Sequence, residues 1–457
     1  MPRSPKVPFP SRLGFGIGDL SFVLIWQGTA LFLMYFYTDV MGIAPAVAGA
    51  IYLVAMIWDA ITDPIIATLA ERARVTRWGK YRPWLLFGAV PLAVSYPLAF
   101  STPGPLEIDP VVWALVTHLL LRTAYTLVSM PFNALQARLT DDAQERAVLA
   151  GFRMAGAASG GLMVAVMTPV MVSLYGPGRE ADAYFAAACL GGVITFVSLG
   201  LCFAFMREPH REDDHMERPP FLQDLAQMGP LFLRNPPLIR VFSVIILGSV
   251  CIGMFSKNVL YHFKYDLVQP DLVVWALTLP AMLLIATVPF WVWLAGKRSK
   301  RDALAGGISI ALVGYLVFYF YSGANIVLIM TVICVIGFGV AALPVMYWSM
   351  LPDTIEYGEA MLGVRAEAKT FGFAAFAQKA AIGINALLLG QLLGWAGFEA
   401  NVDQSEATLA GMKAIMALIP ALGCVAILLI IRGYELDRAR HAELVEIASA
   451  HREQAKT

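Results

Sequence analysis

Two acidic residues lie one helical turn apart inside an apolar stretch of the chain. The segment "MIWDAITDPIIATLAERARVTRWGKYRPW" covers residues 56–84, and its apolar first half contains Asp59 and Asp63. A charged side chain at the centre of a bilayer costs at least about 2.5 kcal/mol, so such residues are candidates for function. Thr62 is three residues after Asp59, which places all three side chains on one face of a helix.

This set of oxygen atoms is suited to a small cation. Two carboxylates and a hydroxyl supply the hard ligands that Na⁺ or Li⁺ prefers, and two close carboxylates also favour a shared proton. The alternative is that each aspartate pairs with a basic side chain of another helix and only holds the helices together. We favour the ion site, and we predict that Asp59, Thr62, Asp63 and Thr126 bind the coupling cation.

Thr126 belongs to a second polar stripe. Arg122, Thr126, Ser129 and Asn133 occupy positions i, i+4, i+7 and i+11 of an otherwise apolar segment, so they share one face of a helix. Ser129 alone would be ordinary helix packing, but the whole stripe indicates a polar cavity. Arg122 is a candidate counter-ion for an aspartate or a ligand for a solute.

Three further charged residues lie inside apolar segments: Asp19, Arg153 and Lys379. The simplest way to offset their cost is mutual compensation around a central, water-filled cavity. Lys257 and His262 either join this cavity or lie at the outer interface. The predicted solute-binding residues are Asp19, Arg122, Ser129, Asn133, Arg153 and Lys379.

The composition is that of a membrane protein. Of 457 residues, 58% are hydrophobic and 14% are charged, whereas a soluble domain has about 25% charged residues. The net charge of zero gives no reason to expect a nucleic-acid partner. The five cysteines lie in apolar runs without metal-ligand spacing, so we interpret them as small apolar core residues and expect no cofactor beyond the coupling ion.

Apolar segments of about 20 residues predict membrane-spanning helices. The sequence contains twelve such segments, which predicts an all-α membrane protein. They are 12–39, 44–70, 83–101, 110–138, 147–175, 180–206, 236–262, 270–296, 304–322, 325–351, 370–395 and 407–432.

The distribution of basic residues orients these spans. The connection after the second span contains five basic residues and the one after the eighth contains four, whereas "STPGPLEID" and "SGAN" on the other side contain none. Basic connections remain in the cytoplasm, so both termini are predicted to be cytoplasmic and the protein to lie in the inner membrane. The N-terminal segment lacks an uninterrupted apolar core and a cleavage site, which favours a cytoplasmic tail over a signal peptide.

One long polar interruption divides the spans into six and six. We predict a bundle at 1–206, a cytoplasmic loop at 207–235, a second bundle at 236–432 and a cytoplasmic tail at 433–457. The two basic connections occupy equivalent places in the halves, as in a transporter that is built from two similar bundles.

Four stretches resemble one known family. They are "YFYTDVMGIAPAVAGAIYLVAMIWDAITDP", "RWGKYRPW", "YTLVSMPFNALQARLTDDAQERAVLAGFRMAG" and "LPDTIEYGEAMLGVRAEAKTFGF" with the following "QK". The chain is similar over nearly its whole length to the glycoside–pentoside–hexuronide:cation symporters, the melibiose-permease branch of the major facilitator superfamily. The WDAxxDP and RWGKxRPW pair is the specific part of this resemblance.

The resemblance implies a twelve-helix fold that alternates between inward- and outward-facing states and couples uptake of a sugar, glycoside or uronide to Na⁺, Li⁺ or H⁺. By position, Asp59 and Asp63 match the family's cation-binding carboxylates, and Thr126 matches its hydroxyl contributor. Asp19 and Arg153 match residues of its sugar site. A separate match links Lys379 to the family's lysine near the ion site.

Three positions depart from melibiose-type members. Thr62 replaces an asparagine, which leaves the choice between Na⁺ and H⁺ open. Ser129 and Asn133 replace a sugar-binding aspartate and a stacking tryptophan, so the resemblance does not extend to galactoside recognition. The "MPFNALQARLTDDAQERA" stretch is more similar to the pentoside and glucuronide branches.

We further predict ion pairs that close the cytoplasmic side and break as the two bundles rock. The alternatives are a sodium-dependent transporter of lysolipids or other amphiphiles and an uncoupled uniporter. An enzyme is disfavoured because the sequence has no HExxH, nucleophile elbow, P-loop or clustered histidines. A monomer is expected, with a small polar solute, a monovalent cation and the bilayer as partners. The predicted gate residues are Arg77, Lys80, Arg82, Arg146, Asp353, Glu356 and Arg365.

Overall fold

The computed structural model describes residues 7–104, 107–140, 142–208, 234–323, 325–363, 367–436, 440, 443–444 and 447. These residues form helices and connections without a β-strand, apart from an isolated bridge between Thr76 and Gly79. Most of the predicted central loop and cytoplasmic tail lies outside the described residues, as does Arg365.

Each predicted span corresponds to a helical segment, and the prediction of an all-α membrane protein is confirmed. In the described part of the chain, eleven helical segments have the length and apolar composition to cross a membrane. The remaining predicted span is the 18-residue helix α3, which has prolines inside it. The helices are α1 Phe9–Tyr35, α2 Pro45–Arg72, α3 Arg82–Ala99, α4 Pro110–Leu139, α5 Ala143–Tyr175, α6 Glu180–Phe205, α7 Pro236–Tyr261, α8 Val273–Lys297, α9 Lys300–Phe320, α10 Ile326–Val340, α11 Ala342–Leu362, α12 Glu367–Trp395 and α13 Glu406–Arg432.

The tenth span is longer than predicted. It consists of α10 and α11 and covers residues Ile326–Leu362, whereas the sequence predicted an end at 351. The helix continues through Asp353 and Glu356 and ends at Gly363, whose φ of 67° is the left-handed conformation that terminates many helices. The predicted gate residues Asp353 and Glu356 therefore lie within the last turns of this helical segment.

By its internal contacts, the chain forms two compact units. The first unit comprises Met1–Met216, Val268–Thr278 and Gly397–Asp403, and the second comprises Glu217–Leu267, Leu279–Ala396 and Gln404–Thr457. In the first unit, the side-chain amide of Asn401 donates to the carbonyl oxygen of Asp39 at 2.7 Å. The predicted bundle boundaries fall next to the undescribed residues, so they stay a prediction.

The first unit is held together by close helix contacts. Helix α1 packs along α5 and α6, α2 packs on α4, and α3 packs on α4 and α6. A Cβ atom at Gly156 would overlap the carbonyl of Gly16, so the backbones of α5 and α1 touch at this point. This contact brings Asp19 of α1 near Arg153 of α5.

The second unit has its own core. Helix α7 packs against α12 and α13, and α9 packs against α10 and α13. The indole N–H of Trp291 donates to the carbonyl of Phe338 at 3.1 Å, and this tryptophan is almost completely buried. Cys251 and Cys424 are buried in this unit as free thiols, in agreement with their interpretation as small apolar residues.

Candidate transport site

The two acidic residues of helix α2 differ in how deeply they are buried. Asp59 is completely buried, and Asp63, one turn later, is half-buried. Pro64 follows directly and has no N–H to donate to the carbonyl of Ala60, four residues earlier. This part of α2 therefore presents a main-chain oxygen in addition to its two carboxylates.

Thr126 of α4 lies between the two carboxylates. Its Oγ1 is 2.9 Å from Oδ1 of Asp59 and 3.0 Å from Oδ1 of Asp63, and its side chain is completely buried. A hydroxyl has a single proton to donate, so it satisfies one carboxylate at a time. The structure thus brings together three of the four residues predicted as cation ligands, and we call Asp59, Asp63 and Thr126 the acid cluster.

The fourth predicted ligand makes different contacts. The Thr62 hydroxyl donates to the carbonyl oxygens of Trp58 at 3.0 Å and of Asp59 at 3.2 Å. It therefore bonds to the main chain of its own helix, as threonine often does inside a helix. Its role in cation binding stays a prediction.

Arg122 lies among aromatic rings one turn before Thr126. Its guanidinium carbon is 4.8 Å from the centre of the Trp26 ring and 6.0 Å from that of Tyr52. Its Nε donates to Nε2 of His118 at 3.4 Å. Within the described part of the chain, Arg122 forms no ion pair with an aspartate, and cation–π contacts stabilise its charge instead.

The sequence analysis missed His118. It is completely buried, and its ring lies 5.0 Å from that of Tyr52 in an edge-on arrangement. Its position four residues before Arg122 on the polar stripe was a usable signal, because i and i+4 side chains are neighbours on a helix.

A second polar group is organised by Arg153 of α5. Its Nε donates to Asp19 at 2.9 Å, Nη1 to Gln136 at 2.9 Å and Nη2 to Asn133 at 2.8 Å. The Arg153 side chain is 32% exposed and that of Asp19 is 8% exposed. We call these four residues the arginine cluster. It contains donors and acceptors that a polar solute can reach.

Aromatic rings surround the arginine cluster. The guanidinium carbon of Arg153 is 5.8 Å from the ring centre of Phe15 and 5.6 Å from that of Phe132, and the two rings are stacked with their centroids 4.5 Å apart. Both rings are completely buried. They therefore belong to the packed core and stabilise the guanidinium by cation–π contact.

Ser129 lies on α4 about one turn from both Thr126 and Asn133. Its hydroxyl is buried and has no hydrogen-bond partner among the described residues. A buried hydroxyl without a partner is costly. Ser129 therefore marks a place between the two clusters where a solute or water molecule would satisfy it.

Two of the predicted gate residues of the first unit, Arg77 and Arg82, contact main-chain or aromatic groups. The guanidinium of Arg77 lies 4.6 Å from the Trp78 ring. Arg82 donates to the carbonyl of Phe203 at 2.6 Å, Lys80 is buried and Arg146 is exposed. Their role in gating stays a prediction.

Glu208 is a second residue that the sequence analysis missed. Its carboxylate accepts the backbone N–H groups of Tyr81 at 2.9 Å and Arg82 at 3.3 Å, and it lies 3.4 Å from the guanidinium of Arg138. Burial raises the pKa of the neighbouring Tyr81 hydroxyl, Glu71 raises it further and Arg138 opposes this rise. Glu208 belongs to a charged run in which no single carboxylate stands out by its spacing.

In the second unit, the predicted gate residue Asp353 forms an ion pair. Lys300 lies 2.7 Å from the Asp353 carboxylate and donates to the carbonyl of Ser349, also at 2.7 Å. Glu356 is half-buried on the same helix. Lys379 of α12 is half-buried within this unit.

The fold is shared with solved membrane transporters. The nucleoside transporter NupG is similar with a TM-score of 0.68 and 12% sequence identity, over 94% of this chain and 100% of that one. At this level of sequence identity, the similarity shows a common fold and does not specify a substrate. The helices of this chain therefore have the fold of these solved transporters.

The chain belongs to the MFS/sugar transport protein family, which matches residues 14–438. It is therefore a multi-pass membrane transporter and not an enzyme. The isoprimeverose transporter of Lactiplantibacillus pentosus is 29% identical over 97% of this chain and 92% of its own length. The inner membrane symporter YicJ of Escherichia coli (strain K12) is 29% identical over 92% of this chain and 90% of its own length.

Proposed function

We propose that the protein is a symporter that couples inward movement of Na⁺, Li⁺ or H⁺ to uptake of a sugar or glycoside. The similarity to an isoprimeverose transporter supports a glycoside of this size as solute. The proposal places the cation at the acid cluster and the solute at the arginine cluster. Both termini are cytoplasmic in this proposal, and the protein is a monomer of the inner membrane.

One observation carries the cation proposal. Two carboxylates share a single hydroxyl donor at 2.9 and 3.0 Å in a buried position. Two carboxylates at close range disfavour the state in which both are ionised. A proton or an alkali cation bound between Asp59 and Asp63 therefore stabilises the cluster. The oxygens of Asp59, Asp63 and Thr126 are suitable ligands for an alkali cation, and the two carboxylates can share a proton.

The solute proposal is supported by the arginine cluster. Sugar hydroxyls both donate and accept, and Arg153 offers N–H donors while Asp19, Asn133 and Gln136 offer acceptors. The stacked Phe15 and Phe132 rings are completely buried, so they do not contact the solute themselves. Their cation–π contacts help to hold the Arg153 guanidinium in position.

Helix α4 connects the two proposed sites. It contributes Thr126 to the acid cluster and Asn133 to the arginine cluster, with Ser129 between them. A cation that fixes Thr126 also fixes the position of Asn133, so each ligand increases the affinity of the other by the same factor. The membrane potential adds about 2.3 kcal/mol per 100 mV for one charge that moves fully inward.

Uptake into proteoliposomes tests the proposal. Isoprimeverose is expected to accumulate when an inward Na⁺ or proton gradient is imposed, and the gradient that works identifies the ion. Asp59→Asn and Asp63→Asn are expected to abolish accumulation. Asp182→Asn is a matched control, since Asp182 is 61% exposed and pairs with the exposed Arg179.

Two results would contradict the proposal. Accumulation that persists in both aspartate variants would exclude the acid cluster as the coupling site. Equilibration without accumulation, at equal rates with and without either gradient, would identify a uniporter. A parallel assay with lysophospholipids separates sugar transport from amphiphile transport.

A further inference from the structure

A cavity of about 610 Å³ is lined by residues of the second unit. Its lining includes no residue of the acid cluster or the arginine cluster. Its lining residues lie at or near the ends of four helical segments. These are the π-helical turn after α7, the C-terminus of α9, the N-terminus of α10 and the N-terminus of α13. By the distribution of basic residues, this end of the unit is the outer one. We call it the outer cavity.

Charged groups of both signs line the outer cavity. Nδ1 of His262 lies 2.9 Å from the carboxylate of Asp266, and the ammonium group of Lys413 donates to the carbonyl of Tyr321 at 2.5 Å. An ammonium group has three donors, so two of them are left for a ligand. Glu406 lines the same cavity and is exposed.

The other walls are apolar. Phe318 lines the cavity, and its ring lies 5.1 Å from that of His262. Ile329 and Val332 complete this side. The volume is within the range of about 300–1,000 Å³ that is typical of small-molecule sites. Fixed donors and acceptors of both signs beside an apolar wall suit an uncharged, polyhydroxylated ligand better than an ion.

We propose that the outer cavity is a second sugar-binding site, which holds a neutral mono- or disaccharide at the outer entrance of the second unit. Lys413 and Asp266 bind its hydroxyls, and Phe318 with Ile329 contacts its apolar face. The choice of a sugar rests on the proposed function, but the site does not depend on the acid cluster.

Protection of a cysteine from labelling tests this site. Ser322 is exposed and lines the cavity. In the full-length protein in lipid nanodiscs, isoprimeverose is expected to slow the reaction of Ser322→Cys with a maleimide several-fold. The reaction of Asp403→Cys, an exposed residue outside the cavity, is expected to be unchanged.

Two second-site variants assign the protection to the cavity. Lys413→Met and Asp266→Asn each remove one polar partner of the ligand. Each is expected to raise the isoprimeverose concentration that gives half-maximal protection about tenfold, because one hydrogen bond to a charged group has that effect on affinity. Asp266→Asn preserves shape and serves if Lys413→Met does not fold. Absence of protection in Ser322→Cys, or protection in both second-site variants that equals that of Ser322→Cys alone, would overturn the site.

The same assay separates this inference from the proposed function. Protection that persists in an Asp59→Asn background, where accumulation is lost, supports sugar binding at the outer cavity independently of the acid cluster. If uptake fails altogether but protection is observed, the outer site stands and the symport proposal falls. Labelling that depends on the nanodisc lipid and not on sugar would overturn the sugar site in favour of a lipid headgroup.

Discussion

Nε of Arg153 on α5 lies 2.9 Å from Oδ1 of Asp19 on α1. The other two guanidinium nitrogens bond to Asn133 and Gln136 of α4, so one side chain joins three helices. Because the fork geometry of arginine uses all three directions, lysine cannot reproduce it.

Arg153→Lys is therefore expected to raise the KM for isoprimeverose at least about tenfold, which corresponds to the loss of one or two hydrogen bonds. Initial uptake rates in proteoliposomes measure this change. Arg179→Lys is the matched control, since Arg179 is exposed and pairs with Asp182. An unchanged KM in Arg153→Lys would separate the arginine cluster from the solute.

The Thr126 hydroxyl is expected to be required for coupling but not for folding. Thr126→Val keeps the shape of the side chain and removes its oxygen, so the half-saturating concentration of the coupling ion should rise by about tenfold. Thr126→Ser retains the hydroxyl and should resemble the wild type. Uptake at graded Na⁺ concentration and pH measures both variants. Equal ion dependence in Thr126→Val and wild type would remove the hydroxyl from the site.

The sequence predicted the parts of the fold that depend on apolar length. Spans such as 110–138 and 407–432 agree closely with Pro110–Leu139 and Glu406–Arg432, because a helix that crosses a bilayer needs about 20 apolar residues. Asp59 and Asp63 were recognisable since acids are rare in such segments. The structure places them beside Thr126, and their function stays a prediction.

The sequence did not predict which polar groups meet across helices. Gln136 resembles an ordinary residue near a helix end, and only the register between α4 and α5 brings it to Arg153. Arg122 was a candidate counter-ion for an aspartate or a ligand for a solute, and spacing did not indicate its contact with the Trp26 ring. The predicted tenth span ended at 351, whereas the helix continues through Asp353, whose charge Lys300 compensates within the folded unit. Such pairings depend on three-dimensional neighbours that spacing alone does not specify.

His118 is expected to stabilise the buried charge of Arg122. His118→Leu removes the acceptor of the Arg122 Nε and is expected to lower the free energy of unfolding by about 1–3 kcal/mol. His118→Gln offers another acceptor and should lose less. Thr117→Val is the matched control, because Thr117 is equally buried but its hydroxyl bonds to the carbonyl of Trp113 in its own helix.

Thermal unfolding in detergent measures these three variants. The expected order of melting temperatures is wild type, then Thr117→Val and His118→Gln, then His118→Leu as the lowest. If His118→Leu were as stable as Thr117→Val, the 3.4 Å contact between His118 and Arg122 would not stabilise the charge of Arg122.

The backbone contact between α1 and α5 is expected to limit side-chain size at Gly156. A Cβ there would overlap the main chain of Gly16, so Gly156→Ala must push the helices apart and is expected to cost about 1–3 kcal/mol of stability. Gly151 is on the same helix with no neighbouring atom within 4 Å of the position of a Cβ. Gly151→Ala should therefore stabilise the protein by up to about 1 kcal/mol, because alanine favours the helix.

The same displacement should affect transport, since α1 contains Asp19 and α5 contains Arg153. Gly156→Ala is expected to raise the KM for isoprimeverose as well as to lower the melting temperature, whereas Gly151→Ala should leave the KM unchanged. A Gly156→Ala protein with wild-type melting temperature and KM would show that α1 and α5 are not in backbone contact at this point.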